Sequence, residues 1–511
     1  MKKKIAFILS ICTVLCSTGC GDRQTGSNAD GKTTLKWILS GPGLQKDSAE
    51  VWAKVNEKLK TYDGLSDTEL SIEVFDNADY QQKFLLLQTS GQQLDIVQTY
   101  GLDYHKEVKN KSFIALDDYI VGTDAFKDAF PDWFWDYAII DGKRYYVPNY
   151  QILTNADYSF YTQKELSDKY WDIKKASETF CAEATFTDKC WDVVEEYLDT
   201  LSKNGQLKMG YMPLDSLTFT LNKGYESVVT RFLIKMDDPE HKVLYMDELP
   251  ERINSFKRVS NLYKKGYIRK DISSIADSDT AMGSKDGYAL WHGGTNIDPE
   301  RYENQLKTTS ERYGFEVDAA RLSNYDYIPS VNAAGGTAIA VSSKNPDKAF
   351  KVITLMNTKS GKDLYNMMVY GIEGEHYDVI SDNVIKPKDY QVQGDSASRY
   401  GLYKWNVGNA KYAFVPESDS VTTPEKIDEC NTADNVKRSS LMGFVADTSS
   451  LTTELAQINS VFEEYKDLNR GTYSDVDKTY NEYMDKVKKA GMEKVKEELQ
   501  KQVDEFFKNK K

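Results

Sequence analysis

The chain has 511 residues, a length of about two to four domains at roughly 100–200 residues each. Lys and Arg number 65 against 79 Asp and Glu, and this acidity argues against a protein that binds nucleic acid or another polyanion. Apolar residues make up 40% and aromatic residues 12% of the chain, which excludes a disordered or low-complexity protein. The four histidines are scattered, which leaves little material for a His-rich metal site: His105, His241, His292 and His376.

Residues 1–19 are typical of an export signal, with a basic start and an apolar run that is too short to span a bilayer as a mature helix. Small residues directly before Cys20 resemble a bacterial lipobox, although Ser17 stands where Leu is usual. That resemblance implies cleavage before Cys20 and acylation of its thiol. Residues 20–33 are polar and would form the lipidated tether. The alternative is an ordinary signal that is cleaved nearby.

The remaining cysteines give little information about function. Cys181 and Cys190 could pair in an oxidising exterior and close a short loop. Cys430 makes the count odd, which argues against a disulfide framework. Buried thiols are the alternative.

Three β–α repeats open the body of the chain. Strand patterns at Thr34–Ser40, Glu69–Phe75 and Leu94–Tyr100 alternate with helix patterns after Asp47 and at Asp79–Gln88. Such repeats predict an α/β domain with a largely parallel sheet. Ligands of these sheets meet the loops at the carboxyl ends of the strands. Those ends carry Gly41-Pro42, Asp76-Asn77 and Tyr100-Gly101.

The middle of the chain predicts an extended crossing followed by more helices and strands. Pro148 stiffens the crossing segment, which runs from Arg144 to Tyr150. The later patterns are helices at Tyr161–Tyr170, Trp191–Lys203, Leu249–Lys265 and Asp347–Asn357, and strands at Asp286–Trp291 and Thr337–Ser342.

Four motifs and the tail carry a family resemblance. They are D-G-K-R-Y-Y-V-P-N-Y (141–150), G-G-T-A-I-A-V-S-S-K-N-P-D-K-A-F (335–350), Y-G-I-E-G-E-H-Y (370–377), W-N-V-G-N (405–409) and a helical tail that begins G-F-V-A-D-T-S-S-L. With the lipobox, they resemble extracellular solute-binding proteins of ABC importers in the maltodextrin-binding-like group. The tail and the 370–377 motif resemble the LplA-like lipoproteins of Gram-positive bacteria, whose C-terminal domain has no characterised function.

The resemblance implies an α/β, periplasmic-binding-protein-like clamshell with two lobes and a helical C-terminal extension. We expect lobe one at 34–148 plus 286–342 and lobe two at 149–285 plus 343–430. Residues 431–511 would form a helical region packed on lobe two. Its last helix places Val495, Leu499, Val503 and Phe507 on one face, as a packing element would.

The family's ligands are mostly oligosaccharides, and the composition agrees with such a ligand. Flat Trp and Tyr rings cover the C–H face of a sugar, and Asp, Asn and Glu bind its hydroxyl groups. The candidate ligand-binding residues lie at predicted strand ends, at the crossing and in Gly-rich loops: Asp76, Asn77, Tyr100, Tyr150, Trp291, His292, Tyr370, Glu373, Trp405 and Asn409. Core packing is the alternative for Trp291, and helix capping for Asp76 and Asn77. The cluster of Trp133, Phe134 and Trp135 is assigned to core packing rather than to a sugar platform.

The predicted function is a substrate-binding lipoprotein, anchored through Cys20 at the extracellular face of the cytoplasmic membrane. It would act as a monomer and deliver an oligosaccharide to a membrane permease, with no metal, cofactor or nucleic acid. A receptor for a peptide or other polar solute and a sensor-coupled receptor without transport remain open. We expect no enzyme, because no carboxylate pair is singled out and G-x-S-x-G, H-E-x-x-H and G-x-x-x-x-G-K-[ST] do not occur.

Overall fold

The computed structural model describes residues 31–154, 157–213, 224–276, 280–330, 335–388 and 394–510. The predicted export signal and Cys20 lie outside these ranges. Within them, no helix combines the length and the apolar character that crossing a bilayer requires.

The strands and helices are numbered here in chain order. The strands are β1 (Thr33–Gly41), β2 (Thr68–Asp76), β3 (Ile96–Gln98), β4 (Ile139–Ile140), β5 (Lys143–Arg144), β6 (Tyr146–Pro148), β7 (Asp157–Gln163), β8 (Tyr225–Val229), β9 (Phe232–Lys235), β10 (Leu244–Tyr245), β11 (Trp291–Thr295), β12 (Val317–Arg321), β13 (Asp326–Ile328), β14 (Gly336–Ile339), β15 (Tyr377–Ser381), β16 (Val384–Pro387), β17 (Val415–Pro416) and β18 (Val436–Arg438). The helices are α1 (Ser48–Leu59), α2 (Tyr80–Thr89), α3 (Tyr104–Lys109), α4 (Asp117–Val121), α5 (Lys164–Tyr170), α6 (Ile173–Ala182), α7 (Asp188–Lys203), α8 (Pro250–Lys264), α9 (Pro299–Tyr313), α10 (Pro346–Asn357), α11 (Lys362–Tyr370), α12 (Lys404–Val407), α13 (Pro424–Thr432), α14 (Thr452–Tyr465), α15 (Val476–Lys489) and α16 (Met492–Asn509).

The first lobe is built on a five-stranded sheet in the order β2–β1–β3–β14–β6. β1 runs parallel to β2 and β3, whereas β14 is antiparallel to both of its neighbours. Helix α1 buries Val51, Val55 and Leu59, which share one face because of their i, i+4 spacing. The predicted α/β fold is therefore confirmed, with the third strand shortened to Ile96–Gln98.

The first lobe also contains helices that we expected in the second. Val352, Ile353 and Met356 of α10 belong to the same buried cluster as Trp37 of β1. Leu364, Tyr365 and Met368 of α11 join that cluster too. The expected place of residues 343–430 in lobe two is thus corrected, because the apolar faces of these helices pack on the first sheet.

The second lobe is built on an antiparallel sheet in the order β11–β7–β12. Helix α7 covers it with Trp191, Val194 and Leu198 on one face. Residues 286–322, which we expected in lobe one, belong here because β11 and β12 both pair with β7. The end of the expected 286–342 segment does lie in lobe one. β14 belongs to the first sheet, and Ile328 belongs to the first-lobe core.

The chain crosses between the lobes more than once. It leaves the first-lobe core after Leu153 and returns between Leu322 and Ile328. On the return, β13 pairs in parallel with β18. β18 belongs to a second segment that leaves the first lobe. Asn431 braces the first crossing: its Oδ1 accepts a hydrogen bond from the amide of Leu153, and its Nδ2 donates to the carbonyl of Gln151.

Helices α14, α15 and α16 form a C-terminal region that packs on the small antiparallel sheet β10–β9–β8. Val495, Leu499 and Val503 of α16 are buried together with Phe232 and Ile234 of β9. The contact is therefore a continuous apolar core rather than a surface attachment.

A buried ionic cluster around Asp247 lies beneath this contact. The Asp247 carboxylate accepts hydrogen bonds from Arg252 Nη2 at 2.6 Å, Arg231 Nη1 at 3.1 Å and the Tyr483 hydroxyl at 2.6 Å. Arg252 also donates to Oδ1 of Asn469. Burial opposes ionisation of Asp247, but the two guanidiniums outweigh it and lower the pKa of Asp247.

The described cysteines are thiols, and Cys181 and Cys190 do not form a disulfide. The Cys181 sulfur faces the carbonyl of Arg321 at 3.7 Å, and the Cys190 sulfur lies 3.9 Å from the Thr187 hydroxyl. The two sulfur atoms thus have different neighbours, and the alternative of a buried thiol applies to Cys190, whereas Cys181 is half-buried.

Candidate functional site

Three of the predicted binding residues lie at one edge of the first-lobe sheet. β1 and β2 end in register, with Gly41 opposite Asp76. Asn77 follows β2, and Tyr100 comes two residues after the end of β3. Parallel strands present their carboxyl ends at the same edge. Asp76 and Asn77 are exposed there, and Tyr100 is half-buried.

Helix α12 brings a fourth predicted residue, Trp405, to this edge. The ring centroids of Tyr100 and Trp405 are 4.9 Å apart with an interplanar angle of 76°. Tyr403 stacks on Trp405 at 5.2 Å and 21°. These three half-buried rings, Tyr100, Tyr403 and Trp405, form what we call the aromatic platform.

Buried amide side chains hold the platform from beneath. Asn406 donates from Nδ2 to the carbonyl of Ser40 at 2.6 Å, and its Oδ1 accepts from Gln98 Nε2 at 3.0 Å. Asn149 Nδ2 donates to the carbonyl of Trp405 at 2.9 Å. Helix α12 is therefore tied to the ends of β1 and β3 and to the first crossing, which fixes the backbone that carries the Trp405 ring.

Polar groups flank the platform. The Ser40 hydroxyl donates to Asn77 Oδ1 at 2.5 Å. The Asp76 carboxylate accepts from the amide of Ala78 at 3.0 Å, a local turn before α2 rather than a helix cap, because the N-cap of α2 is Asp79. Carboxylate and amide groups beside stacked rings can bind the hydroxyl rim and the apolar face of a flat polar ligand.

Trp291 and His292 are placed away from this edge, inside the second lobe. Trp291 begins β11 instead of ending a strand, and it is packed among Tyr161, Tyr313 and Phe315. The Tyr211 hydroxyl lies 2.9 Å from His292 Nε2. Burial lowers the pKa of His292 to about 3, so the imidazole is neutral at physiological pH.

Gly293 belongs to the same packing. A Cβ at this position would lie 2.7 Å from the Tyr161 ring, so glycine is required by a core aromatic residue. The Gly293-Gly294 pair therefore does not indicate an approach to a ligand. The structure does not bring Trp291 or His292 to the platform.

Tyr150 and Asn409 are also buried in the first lobe. The Tyr150 hydroxyl donates to Asp428 Oδ1 at 3.2 Å, and its ring lies 5.0 Å from that of Phe134. Asn409 Nδ2 donates to the carbonyl of Ala129 at 2.9 Å. Both residues brace the first-lobe core, and neither lies with the platform.

The 370–377 motif forms a tight turn at the end of α11. The Tyr370 hydroxyl donates to the carbonyl of Phe414 at 2.7 Å, so this ring is fixed in the core. Glu373 is exposed in the turn. His376 is buried, and its Nδ1 accepts from the amide of Ile372 at 3.1 Å. The motif therefore builds a turn rather than one end of the platform.

The Trp133–Trp135 cluster packs against the first-lobe core, as the sequence favours. The Trp135 ring lies 5.5 Å from Phe126 and 5.1 Å from Phe130, both edge-on. Trp133 lines an open cavity of about 420 Å³ together with Arg438 and Lys510. The Arg438 guanidinium lies 4.9 Å from the centroid of the Trp133 ring.

Tyr403, Ser40 and Asn406 are the site residues that the sequence does not single out. Asn406 lies inside the 405–409 motif without being chosen as a candidate, and extending that motif by two residues toward the N-terminus would have found Tyr403. Ser40 is the last residue of the predicted first strand. Among the described residues, no group of three or more His, Cys, Asp or Glu is placed to hold a metal ion.

Comparisons with known proteins agree with this architecture. N-glycan transport solute binding protein (NgtS) from Streptococcus pneumoniae superimposes with a TM-score of 0.70 at 22% identity, over 94% of this chain and 100% of that chain. FusA, an ABC-transporter substrate binding protein from S. pneumoniae solved with kestose, gives 0.56 at 14% identity over 93% and 100%. The fold is therefore that of the extracellular solute-binding proteins, as the sequence resemblance predicts.

Two sequence matches add to the structural ones. A carbohydrate ABC transporter substrate-binding protein from S. pneumoniae serotype 4 is 24% identical over 502 residues, covering 97% of this chain and 95% of that protein. Residues 440–508 match the family model described as a domain of unknown function, DUF3502. This segment coincides with the C-terminal helical region.

Proposed function

We propose that this protein is the substrate-binding component of an ABC transporter and captures an oligosaccharide outside the cell. The aromatic platform of Tyr100, Tyr403 and Trp405 carries the proposal. It lies at the carboxyl edge of the first-lobe sheet, where ligands of α/β sheets bind. The proteins that match nearly the whole chain include a carbohydrate ABC transporter substrate-binding protein and an N-glycan transport solute binding protein.

The platform suits a sugar for a specific chemical reason. A pyranose ring has an apolar C–H face, which Trp405 would cover, and a rim of hydroxyl groups, which Asp76 and Asn77 would bind. The half-buried rings need no large rearrangement, because Asn406 and Asn149 already fix the helix that carries Trp405.

Transport requires that binding changes the conformation of the protein. Ligand contacts to both lobes would favour closure around the crossing segments, because only differential contacts shift such an equilibrium. The protein would be a monomer anchored through Cys20 and the 20–33 tether. It would present the closed complex to a membrane permease, while ATP hydrolysis and any glycan cleavage belong to other polypeptides.

A ligand screen of residues 21–511, which include every described residue, tests the proposal. At 100 times its dissociation constant a ligand adds about 2.7 kcal/mol to stability, which thermal unfolding detects. We expect a shift with one class of glycan and no product by chromatography. Shifts with peptides alone would support the alternative of a receptor for a peptide. Consumption of the glycan would overturn the assignment as a binding protein.

A tryptophan pair locates the site once a glycan is found. Trp405→Ala should weaken binding about thirtyfold, equivalent to about 2 kcal/mol. Trp171→Ala is the matched control, because Trp171 is also half-buried but stacks on Tyr197 in the second lobe. Equal dissociation constants for the two variants, measured by calorimetry, would show that the platform does not bind the glycan.

A further inference from the structure

Two loops that flank the aromatic platform are joined by one cluster of polar side chains, three of them buried and one, Arg399, half-buried. The first loop, residues 42–47, leads from the end of β1 to α1. The second, residues 394–403, leads into α12 and carries Tyr403. We call the joining cluster, formed by Gln45, Asp47, His376 and Arg399, the loop anchor.

Gln45 clamps the second loop at two points. Its Nε2 donates to the carbonyl of Asp395 at 2.8 Å, and its Oε1 accepts from the amide of Gly401 at 3.0 Å. Gly394 donates from its amide to the carbonyl of Gly401 at 3.1 Å, so the loop closes on itself between these points. One buried side chain thus fixes both ends of a seven-residue segment, 395–401.

Asp47 joins the same two loops to the 370–377 turn. Its amide donates to the carbonyl of Arg399 at 2.9 Å, and its carboxylate contacts the Arg399 guanidinium. His376 Nε2 lies 3.3 Å from Asp47 Oδ2. Because His376 Nδ1 accepts from the amide of Ile372, its Nε2 is the ring nitrogen that faces the carboxylate as a donor.

The turn itself is shaped to place His376. Gly371 has φ +89°, and a Cβ there would lie 2.8 Å from His376 Cγ. The Gly and His of the 370–377 motif are therefore required together, which accounts for two of its residues without a ligand.

The anchored loop leads directly to the platform. Leu402 donates from its amide to the carbonyl of Val369 at 3.0 Å, and Tyr403 follows at once. The Tyr403 ring lies on Gly394, where a Cβ would be 2.0 Å from the ring. Movement of residues 394–401 would therefore displace the Tyr403 ring, which stacks on Trp405.

We infer that Gln45 and Asp47 are positioning residues for oligosaccharide binding, which set the Tyr403–Trp405 stack through the 394–403 loop. The inference rests on the proposed function of the platform. Neither residue is proposed to touch the ligand.

The first lobe supplies a matched control. Asn56 also makes two side-chain hydrogen bonds to the backbone, with the amide of Leu70 at 2.6 Å and its carbonyl at 3.0 Å. Leu70 lies in the first half of β2, toward the edge opposite to the platform. Asn56→Ala and Gln45→Ala therefore each remove two side-chain hydrogen bonds to the backbone, one pair far from the platform and one pair in the loop beside it.

The test compares these variants with a glycan that stabilises the wild-type protein. Gln45→Ala should weaken binding about tenfold or more, whereas Asn56→Ala should bind as the wild type. Both should lower the midpoint of thermal unfolding to a similar extent. Equal dissociation constants for Gln45→Ala and wild type would overturn the inference, whereas a wild type that binds no glycan would instead count against the proposed function.

A second readout needs no ligand. In protein labelled with 5-fluorotryptophan, the ¹⁹F resonance of Trp405 is assigned from its loss in Trp405→Phe. Gln45→Ala should shift or broaden that resonance, and Asn56→Ala should leave it in place. If Gln45→Ala does not fold, Arg399→Gln replaces it, because the Arg399 side chain is 35% exposed and its loss leaves no large cavity. An unchanged Trp405 resonance in the folded anchor variant would overturn the inference.

Discussion

The aromatic platform and the Trp291 cluster have similar sequence signals but opposite environments. Each combines aromatic residues with a neighbouring glycine and lies near a strand or a loop that the sequence suggests for binding. Trp405 is half-buried at the edge of the first sheet, whereas Trp291 is 2% exposed inside the second lobe. A similar local pattern therefore gives a half-buried surface in one lobe and a core in the other.

Strand direction explains the difference. The first sheet is parallel at β1, β2 and β3, so the residues that follow these strands gather at one edge. β11 is antiparallel to β7, and Trp291 is its first residue, opposite Tyr161. His292, on the other face, packs against Phe160 at 4.5 Å. Because both faces of β11 are covered, neither ring is free to line a cleft.

Truncation of Trp291 gives the largest expected effect. Trp291→Ala should lower the free energy of unfolding by about 3–5 kcal/mol, because it opens a cavity among Tyr161, Tyr313 and Phe315. Denaturant unfolding measures this loss, and the folded fraction should bind glycan as the wild type does. If Trp291→Ala kept its stability but lost glycan binding, Trp291 would be a ligand-binding residue rather than a core residue.

The next largest expected effect is a loss of stability in acid, which His292 in the second lobe would cause. The unfolded chain protonates His292 below about pH 6.5, whereas the folded protein does so only near pH 3, so stability falls as the pH falls through this window. One such group accounts for about 1.4 kcal/mol per pH unit. The stability of His292→Phe, followed by denaturant unfolding between pH 6.5 and 5, should decline less steeply than that of the wild type. Parallel pH profiles for the two proteins would contradict the buried neutral imidazole.

Substitution of Asn77 has the smallest expected effect, and it changes glycan binding at the platform only. Asn77→Ala should weaken glycan binding about fivefold, close to 1 kcal/mol, because one hydrogen bond to a hydroxyl group is lost. Asn204→Ala is the control, since this exposed amide donates only to the carbonyl of Thr200 at the end of α7. Calorimetry that finds equal binding in both variants would leave Asp76 and the rings as the only contacts at this edge.

The sequence predicts the first sheet well because its signals are local. Alternating apolar residues give β1 and β2, and the predicted strand at Thr337–Ser342 corresponds to β14 (Gly336–Ile339). The division of the lobes is not local: it depends on whether a returning strand pairs with β3 or β7. Periodicity identifies β11 and β14 as strands but does not say which sheet each one joins.

The support of the site is even less accessible to sequence reasoning. Gln45 and Asp395 are separated by 350 residues, and Gln98 and Asn406 by 308. Single amides that bond to backbone groups at such distances leave no periodic pattern. The sequence therefore finds Asp76, Asn77, Tyr100 and Trp405, which follow strands or occur in a recognisable loop, but not the residues that fix them.

The ionic cluster around Asp247 has a consequence for shortened forms of the chain. Asp247, Arg231 and Arg252 precede the segment that matches DUF3502, and Tyr483 and Asn469 lie within it. A gene shortened before codon 440 would encode a second lobe with a buried carboxylate short of a donor and with the side chains of β9 open to water. We therefore expect a chain truncated before residue 440 to lose stability in the β10–β9–β8 sheet as well as the C-terminal helices.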